Sequence, residues 1–338
     1  MAFLFADIGG TNVRFGYSKT KHSNIICEVI YKVSDYKSIE AAIENYCIRY
    51  KVSPKVFSFC VAAPTSDNAI VFTNNHWQFK KDSLQKTFGL KEILCINDFT
   101  AQALSQIPFF LKGLNQELLN QADLLKIFYK GRPDTASSIF VIGPGTGLGA
   151  STLVSVGNSF KALQAEGGHT HFCPTSTVEL ELLAWLQNRF GHVSSEQVIS
   201  GAGLENIYQF LNTRFTSLGK VDLKASEIGS LALKGDPLCL QAVNIMMGAL
   251  GTATANGVLT TGSFRGVVIC GGIIPKLSKL FFESPFYEKF TYNKPKYSTL
   301  LKSVPIYISE DPYSGLKGCQ QAIHNKFLQS EVNRFFYD

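Results

Sequence analysis

Two segments of this chain repeat one local plan: a short apolar strand, a turn rich in glycine and threonine, and a second strand. The first spans residues 2–17 with its turn at 7–12, and the second spans residues 138–156 with its turn at 143–149. This plan predicts a β-hairpin in each segment. Glycines remove side-chain bulk, so that backbone N–H groups can approach an anion. Two such hairpins in one chain therefore predict a grip on the phosphates of a nucleotide from opposite sides.

The first turn offers several groups to such a ligand. Asp7 at the strand end is suited to holding the water shell of a metal ion, and Arg14 to meeting a phosphate oxygen. The further candidates for phosphate contact are Gly9, Gly10, Thr11 and Asn12. An ordinary tight hairpin explains the same residues, and for this turn alone it is the better explanation.

The second turn carries a glycine at every second position. Its candidates for phosphate contact are Gly143, Gly145, Thr146 and Gly147. It is not a P-loop, because no Gly-Lys-Ser/Thr follows, and not G-x-G-x-x-G, because Leu148 stands at the last glycine position. A third strand-to-glycine junction, at Gly271 and Gly272, is suited to the base and ribose end of a nucleotide.

Asn97 and Asp98 follow the apolar run 93–96 and precede a segment with helical periodicity. They are therefore expected at the carboxyl end of a strand, where open α/β sheets present ligand-binding groups. An ionised Asp98 can accept a proton from a substrate hydroxyl, while the Asn97 amide holds that substrate in place. Capping of the following helix by either residue is the equally weighted alternative.

Glu166 and His169 are separated by two glycines, so that both side chains can turn toward one small polar ligand. Because single histidines are usually structural, the pair is more informative than either member. Glu196 brings another acidic group to a loop, and taken alone it is best explained as a solvated charge.

Residues 70–77 mix polar groups, Thr73 and Asn74 among them, with an aromatic residue, Trp77, that could line a sugar. A surface turn with the tryptophan in the core is at least as good an explanation. The remaining periodicity predicts helices at 39–50, 82–88, 178–190, 237–259 and 316–328, and strands at 25–33, 56–62 and 305–308.

Composition narrows the class of protein. With 338 residues, 45% of them hydrophobic and 17% charged, the chain has the length of two domains and ample material for their cores. The net charge of +6 comes without a dense Lys/Arg block, which argues against nucleic acid as a partner and suits an anionic substrate.

The eight cysteines form no C-x-x-C pair and none lies at zinc-ligand spacing to a histidine, which argues against a thiolate metal site. The chain opens without a basic n-region or a cleavage site. No uninterrupted apolar run approaches the ~20 residues of a membrane span. We therefore expect a cytoplasmic protein with no membrane partner.

With these residues in hand, the chain resembles the bacterial glucokinase family of the actin–hexokinase–chaperone ATPase superfamily, over residues 5–323. The resemblance implies an ATP-dependent kinase that uses Mg²⁺ and phosphorylates glucose, with the turns at 7–14 and 143–149 on the phosphates and 271–276 at the adenosine. It implies Asp98 as the catalytic base. The sugar-binding residues that it implies are Asn97, Glu166, His169, Glu196, Thr73 and Asn74.

The resemblance also implies a two-domain α/β fold of the actin-like ATPase (ribonuclease H-like) class, with a cleft between the domains. The expected domains are a small one, 1–108 with 316–338, that carries Asp98, and a large one, 109–315. A homodimer is the assembly that the family implies. No N-terminal helix-turn-helix is present, which argues against a DNA-binding repressor of the related sugar-kinase group.

Two positions depart from the family's usual pattern: His171 replaces an aspartate, and Pro144 replaces an alanine. Two alternatives stay open at this point. One is a kinase for another hexose, such as fructose, mannose or an amino sugar. The other is a nucleotide-switched ATPase of the actin or chaperone type without a sugar acceptor.

Overall fold

The computed structural model describes residues 1–63, 65–72, 75–111, 124–215, 222–325 and 327–328. The backbone contacts divide the chain into two compact units. The first unit comprises Met1–Leu118, Val156–Gln164 and Asp311–Asp338, and the second comprises Leu119–Ser155 and Ala165–Glu310. The domain boundaries expected from the resemblance stay a prediction; they differ from these units at 109–118, at 311–315 and in the segment Val156–Gln164.

The first unit is built on a five-stranded sheet of order β3-β2-β1-β4-β7. Its strands are β1 (Ala2–Ile8), β2 (Asn12–Ser18), β3 (Ile26–Lys32), β4 (Pro54–Val61) and β7 (Glu92–Asn97), with β5 (Ala69–Val71) and β6 (Gln78–Lys80) in a separate pair and β11 (Ser159–Gln164) grouped with the unit. Its helices are α1 (Ile39–Tyr50), α2 (Lys81–Phe88), α3 (Asp98–Leu104), α4 (Ile107–Leu111) and α13 (Ser314–His324).

Three strands of this sheet, β1, β4 and β7, run parallel. Ile8 pairs with Val61, and Val61 pairs with Asn97, so the three strands end level with one another. The first hairpin is confirmed, because β1 pairs antiparallel with β2. The register therefore places the turn after β1 and the start of α3 at the same edge of the sheet.

Helix α13 packs on this sheet and on α3. A Cβ on Gly318 would overlap the carbonyl oxygen of Ala101 in α3, which shows how closely the two backbones approach. The closing helix was predicted to run to residue 328, and that boundary is wrong. It ends at His324, because Asn325 takes an extended conformation and its amide donates to the Phe160 carbonyl at 2.9 Å.

In the second unit, five strands are hydrogen-bonded in the order β10-β9-β12-β13-β8. They are β8 (Leu125–Tyr129), β9 (Ile139–Pro144), β10 (Leu148–Val156), β12 (Gly266–Ile269) and β13 (Ile306–Ser309). The second hairpin is also confirmed, because β9 and β10 pair antiparallel. Strands β9, β12 and β13 run parallel, so that the second and third glycine junctions share one edge.

The helices of the second unit are α5 (Thr177–Phe190), α6 (Gly201–Phe215), α7 (Ala225–Leu233), α8 (Pro237–Thr261), α9 (Ile273–Lys276), α10 (Ser278–Glu283), α11 (Phe286–Thr291) and α12 (Pro295–Leu301). Of these helices the sequence analysis predicted α5 and α8 within a few residues, and it missed α7, α10, α11 and α12. It also missed α4 and the strands β5, β6, β8 and β11. These are short segments, for which the periodicity of the sequence is too brief to give a signal.

Helix α8 is the central helix of the second unit. Asp236 caps its start by accepting from the Cys239 N–H, and Gly262 ends it in the left-handed conformation. By length and composition it is apolar enough to cross a membrane, contrary to the expectation from the sequence, but 67% of its most apolar window is buried inside the protein. That burial is typical of a core helix. Within the described residues no second helix passes the same test.

The contact between α13 and α3 gives a stability prediction. Gly318→Ala forces a methyl group against the Ala101 backbone, and overpacking of this kind typically costs roughly 1–3 kcal/mol. Gly248→Ala in α8 is the matched control, because its Cβ meets only side-chain atoms at 3.4 Å or more. It should be neutral or stabilising, since a helical glycine costs about 1 kcal/mol relative to alanine. Urea unfolding followed by circular dichroism measures both, and equal midpoints would contradict the close packing.

Candidate active site

Asp7 lies near the end of β1, opposite Arg14 on β2. The Arg14 guanidinium donates to Asp7 Oδ2 at 3.2 Å, and the Cys60 thiol donates to Oδ1 at 3.6 Å. Burial raises the pKa of Asp7, while Arg14 and the Cys60 thiol act in the opposite direction. Arg14, which the sequence analysis assigned to a phosphate oxygen, thus has Asp7 as its partner within the protein.

The first glycine turn is closed by a hydrogen bond from the Gly9 N–H to the Asn12 carbonyl at 2.9 Å. The Asn75 amide donates to the Gly9 carbonyl at 3.2 Å and thereby ties the predicted sugar segment to this turn. Trp77 is 2% exposed, as the alternative explanation of that segment expected. Thr73 and Asn74 lie outside the described residues.

Asn97 is the N-cap of α3. Its side-chain oxygen accepts from the Phe99 N–H at 2.9 Å and from the Thr100 N–H at 3.1 Å, so the capping alternative is confirmed for this residue. Asp98 follows as the first residue of the helix. The cap uses only the Asn97 oxygen and is compatible with a donor role for its amide nitrogen.

Asp98 and Asp7 belong to one cluster at the carboxyl edge of the first unit's sheet. Hydrogen bonding to Cys319 and burial raise the pKa of Cys60, and the charges of Asp7 and Asp98 raise it further. The strand of Cys60 pairs with that of Asp7 on one side and with that of Ile96, two residues before Asp98, on the other. Sequence reasoning missed Cys60, because a cysteine inside an apolar strand carries no signal beyond burial.

In the second unit, the turn at 143–149 and the junction at Gly271 adjoin. A Cβ on Gly143 would overlap the Cys270 carbonyl, and one on Gly271 would overlap the Pro144 carbonyl. Gly271 also has a φ of +90°, which side-chain-bearing residues rarely adopt. The structure therefore brings the two predicted nucleotide elements of this unit together, with their backbones in contact.

Glu196 contacts the glycine turn directly. Its Oε2 accepts from the Leu148 N–H at 2.8 Å, and a Cβ on Gly147 would overlap that same oxygen. It is therefore not the plain solvated charge that the residue alone suggested. Leu148 is a second residue that sequence reasoning missed, since the contact uses only its backbone.

Glu166 and His169 flank a short 3-10 turn and are exposed. The loop after them joins the loop of Glu196 through the Ser195 N–H, which donates to the Thr170 carbonyl at 2.8 Å. A β-bridge between His171 and Ser194 reinforces this junction. The three predicted sugar ligands of this unit are thus carried on two neighbouring loops.

Comparison with known proteins identifies the family. A family model described as Glucokinase matches residues 4–326. The glucokinase of Helicobacter acinonychis (strain Sheeba) is 35% identical over 340 residues, which cover 97% of each chain. The chain belongs to the glucokinase family. The resemblance inferred from the sequence motifs is thereby confirmed, and so is the hexokinase-type phosphotransferase class.

Solved structures similar to this glucokinase-family chain confirm its fold. A glucokinase from an Antarctic psychrotroph is 29% identical, with a TM-score of 0.80 over 96% of this chain and 99% of that one. A ROK family glucokinase from Streptomyces griseus, in complex with glucose and AMPPNP, is 16% identical, with a TM-score of 0.62 over 95% and 98%. The predicted two-domain actin-like ATPase fold is confirmed by these likenesses.

The two departures from the family pattern have local structural settings. The His171 ring lies 4.7 Å from the His192 ring, centroid to centroid, so its neighbour is another imidazole. Pro144 is the last residue of β9, paired with Leu148. Because a strand end tolerates a residue without an N–H, proline is accommodated there.

The buried setting of Asp7 predicts a pH dependence of stability. Because its pKa is raised in the folded protein, the unfolded state releases its proton first as the pH rises from about 3.9. The free energy of unfolding of the wild type should therefore fall relative to Asp7→Asn from that pH up to the raised pKa, and stay level above it.

Asp82→Asn is the control for this prediction. Hydrogen bonding to Asn68 lowers the pKa of Asp82, so here the wild type should gain on the variant as the pH rises toward the ordinary Asp value. Urea titrations between acid and neutral pH measure both differences. The same sign for the two variants would contradict the assignment.

Proposed function

We propose that this chain transfers the γ-phosphoryl group of ATP to the 6-hydroxyl of glucose. The observation that carries the proposal is the family match over nearly the whole chain, combined with Asn97 and Asp98 at the level ends of three parallel strands. The relatives named above are glucokinases, and one of them is a complex with both glucose and AMPPNP. We further propose a cytoplasmic location and a homodimer, as the family implies.

In the proposed reaction Asp98 is the general base. As the sugar O6 attacks the γ-phosphorus, its proton passes to the Asp98 carboxylate. The bond from the γ-phosphorus to the bridging oxygen breaks, and ADP leaves. Positioning and charge stabilisation carry most of such chemistry, since the transferring group passes through a loose transition state.

The nucleotide is assigned to the glycine turns. Its phosphates are assigned to the turn at 9–12 and to Gly143, Gly145, Thr146 and Gly147, and its adenosine to Gly271 and Gly272. Asp7 fits Mg²⁺ through the ion's water shell, since Mg²⁺ keeps several waters and both Asp7 oxygens already have protein partners. The bound ion would supply charge neutralisation on the phosphates.

Recognition of the sugar is assigned to Glu166, His169 and Glu196, together with Thr73, Asn74 and the Asn97 amide. Carboxylates accept from sugar hydroxyls, while an imidazole or amide N–H donates to them. A site built to pair each hydroxyl leaves a polar group unpaired when the wrong sugar binds, and that penalty gives specificity. An ATPase switch without a sugar acceptor needs no such set.

Asp98→Asn tests the base. It keeps the shape and polarity of the residue but cannot accept the proton, so kcat should fall by ~10²–10⁴-fold while glucose binding persists. Coupled measurement of ADP release gives kcat, and calorimetry gives the glucose affinity. A variant that keeps most of its turnover would remove Asp98 from this role.

ADP release by the wild type without any sugar would favour the ATPase alternative.

A sugar panel tests the specificity. One misplaced hydroxyl should cost roughly ten- to a hundred-fold in kcat/KM, so glucose should lead, mannose should trail and fructose should be poor. His169→Ala should lower the glucose value and flatten this ranking, because it removes a donor. His171→Asp is the control and should have a modest effect, since the His171 ring faces His192. A preference for fructose or an amino sugar would overturn the glucose assignment.

A further inference from the structure

Glu196, which is assigned to the sugar, also contacts the glycine turn that is assigned to the phosphates. The Leu148 N–H donates to its Oε2 at 2.8 Å, at the point where the glycine turn enters β10. The Glu196 side chain is only partly buried, and this contact engages one of its two carboxylate oxygens. A carboxylate has acceptor capacity on both oxygens, so the second can serve a ligand while the first holds the turn.

Hydrogen bonds also hold the backbone of Glu196 and the start of the helix that follows it. The Ser200 hydroxyl donates to the Glu196 carbonyl at 2.7 Å, and the Gly201 N–H donates to the Gly145 carbonyl at 3.0 Å. The start of α6 therefore contacts the glycine turn, as the Glu196 side chain does. The turn itself is closed by the Gly145 N–H, which donates to the Gly147 carbonyl at 2.7 Å.

The loop of Glu166 and His169 rests on the same residue of the turn. A Cβ on Gly168 would overlap the Leu148 carbonyl, and one on Gly167 would lie 2.8 Å from the Ala150 side chain. Leu148 thus meets Glu196 through its N–H and the other sugar loop through its carbonyl. A shift of the turn at Leu148 would be felt by both loops.

We infer that Glu196 is a positioning residue that couples the sugar to the nucleotide, because one carboxylate orients the phosphate turn through Leu148 and binds a sugar hydroxyl. A bound sugar then fixes the carboxylate and with it the turn, and a bound nucleotide fixes the turn and with it the carboxylate. Coupling of this kind is reciprocal. The inference rests on the proposed function for the identity of the two ligands.

The first test changes a residue of the phosphate turn and measures the affinity for glucose. Gly147→Ala places a methyl group on the end of the flexible Glu196 side chain, which can move without disturbing the fold. The displaced carboxylate should lower the glucose affinity of the nucleotide-free protein by at least about five-fold, the lower end of typical couplings between sites. Gly248→Ala is the control, because it adds a methyl group in α8, outside the residues assigned to either ligand, where the Cβ meets only side-chain atoms at 3.4 Å or more, and it should bind glucose as the wild type does.

The second test changes Glu196 and measures the affinity for a nucleotide in the absence of sugar. Glu196→Ala leaves the Leu148 N–H without its acceptor, so AMPPNP affinity measured by calorimetry should fall by at least about five-fold. Glu196→Gln keeps an oxygen for that N–H and should restore the affinity. Glu92→Ala is the control: it removes an exposed carboxylate at the start of β7, outside the residues assigned to either ligand, and it should leave AMPPNP binding unchanged.

The two tests separate this inference from the proposed function. Equal glucose affinity of Gly147→Ala and Gly248→Ala, or unchanged AMPPNP affinity in Glu196→Ala, would overturn the coupling even in an active glucokinase. A wild-type protein that binds no glucose would overturn the proposed function. The AMPPNP measurements on the Glu196 and Glu92 variants would then still decide whether Glu196 holds the phosphate turn.

Discussion

The level ending of three parallel strands is the constraint on which the first unit depends. Because Ile8, Val61 and Asn97 pair across β1, β4 and β7, the first glycine turn and the start of α3 emerge at one edge. This register places Asp7 and Asp98 at the same edge of the sheet. The approach of α13 to α3, with Gly318 against Ala101, then holds the helix that begins with Asp98.

The second unit depends on close contacts at its glycines. At Gly143, Gly147, Gly168 and Gly271 a Cβ would overlap a carbonyl oxygen or a carboxylate. The glycines are thus required as much by close packing of the turns as by room for a ligand. This explains why a strand-to-glycine junction occurs twice in this unit: at both, a backbone approaches another backbone or a carboxylate closely.

Several polar side chains that were predicted to bind a ligand already have a hydrogen-bond partner within the protein. Arg14 donates to Asp7. The side-chain oxygen of Asn97 accepts the hydrogen bonds of the helix cap, and one oxygen of Glu196 accepts from the Leu148 N–H. Each of these contacts lowers the freedom of a group proposed to act on a substrate. Pre-organisation of this kind favours catalysis, since a group already held in position pays little entropy when the substrate arrives.

The sequence alone determined both hairpins, several of the longer helices and the family. Glycine spacing after apolar strands predicted both hairpins, and the order of the motifs predicted the glucokinase resemblance, because these signals are local and covalently spaced. Only the tertiary structure decided which backbone groups the side chains meet. The contacts of Cys60 with Asp7, of Asn75 with Gly9 and of Leu148 with Glu196 join residues far apart in the chain. Such contacts depend on strand register and on backbone approach, and a single sequence carries no periodic signal for either.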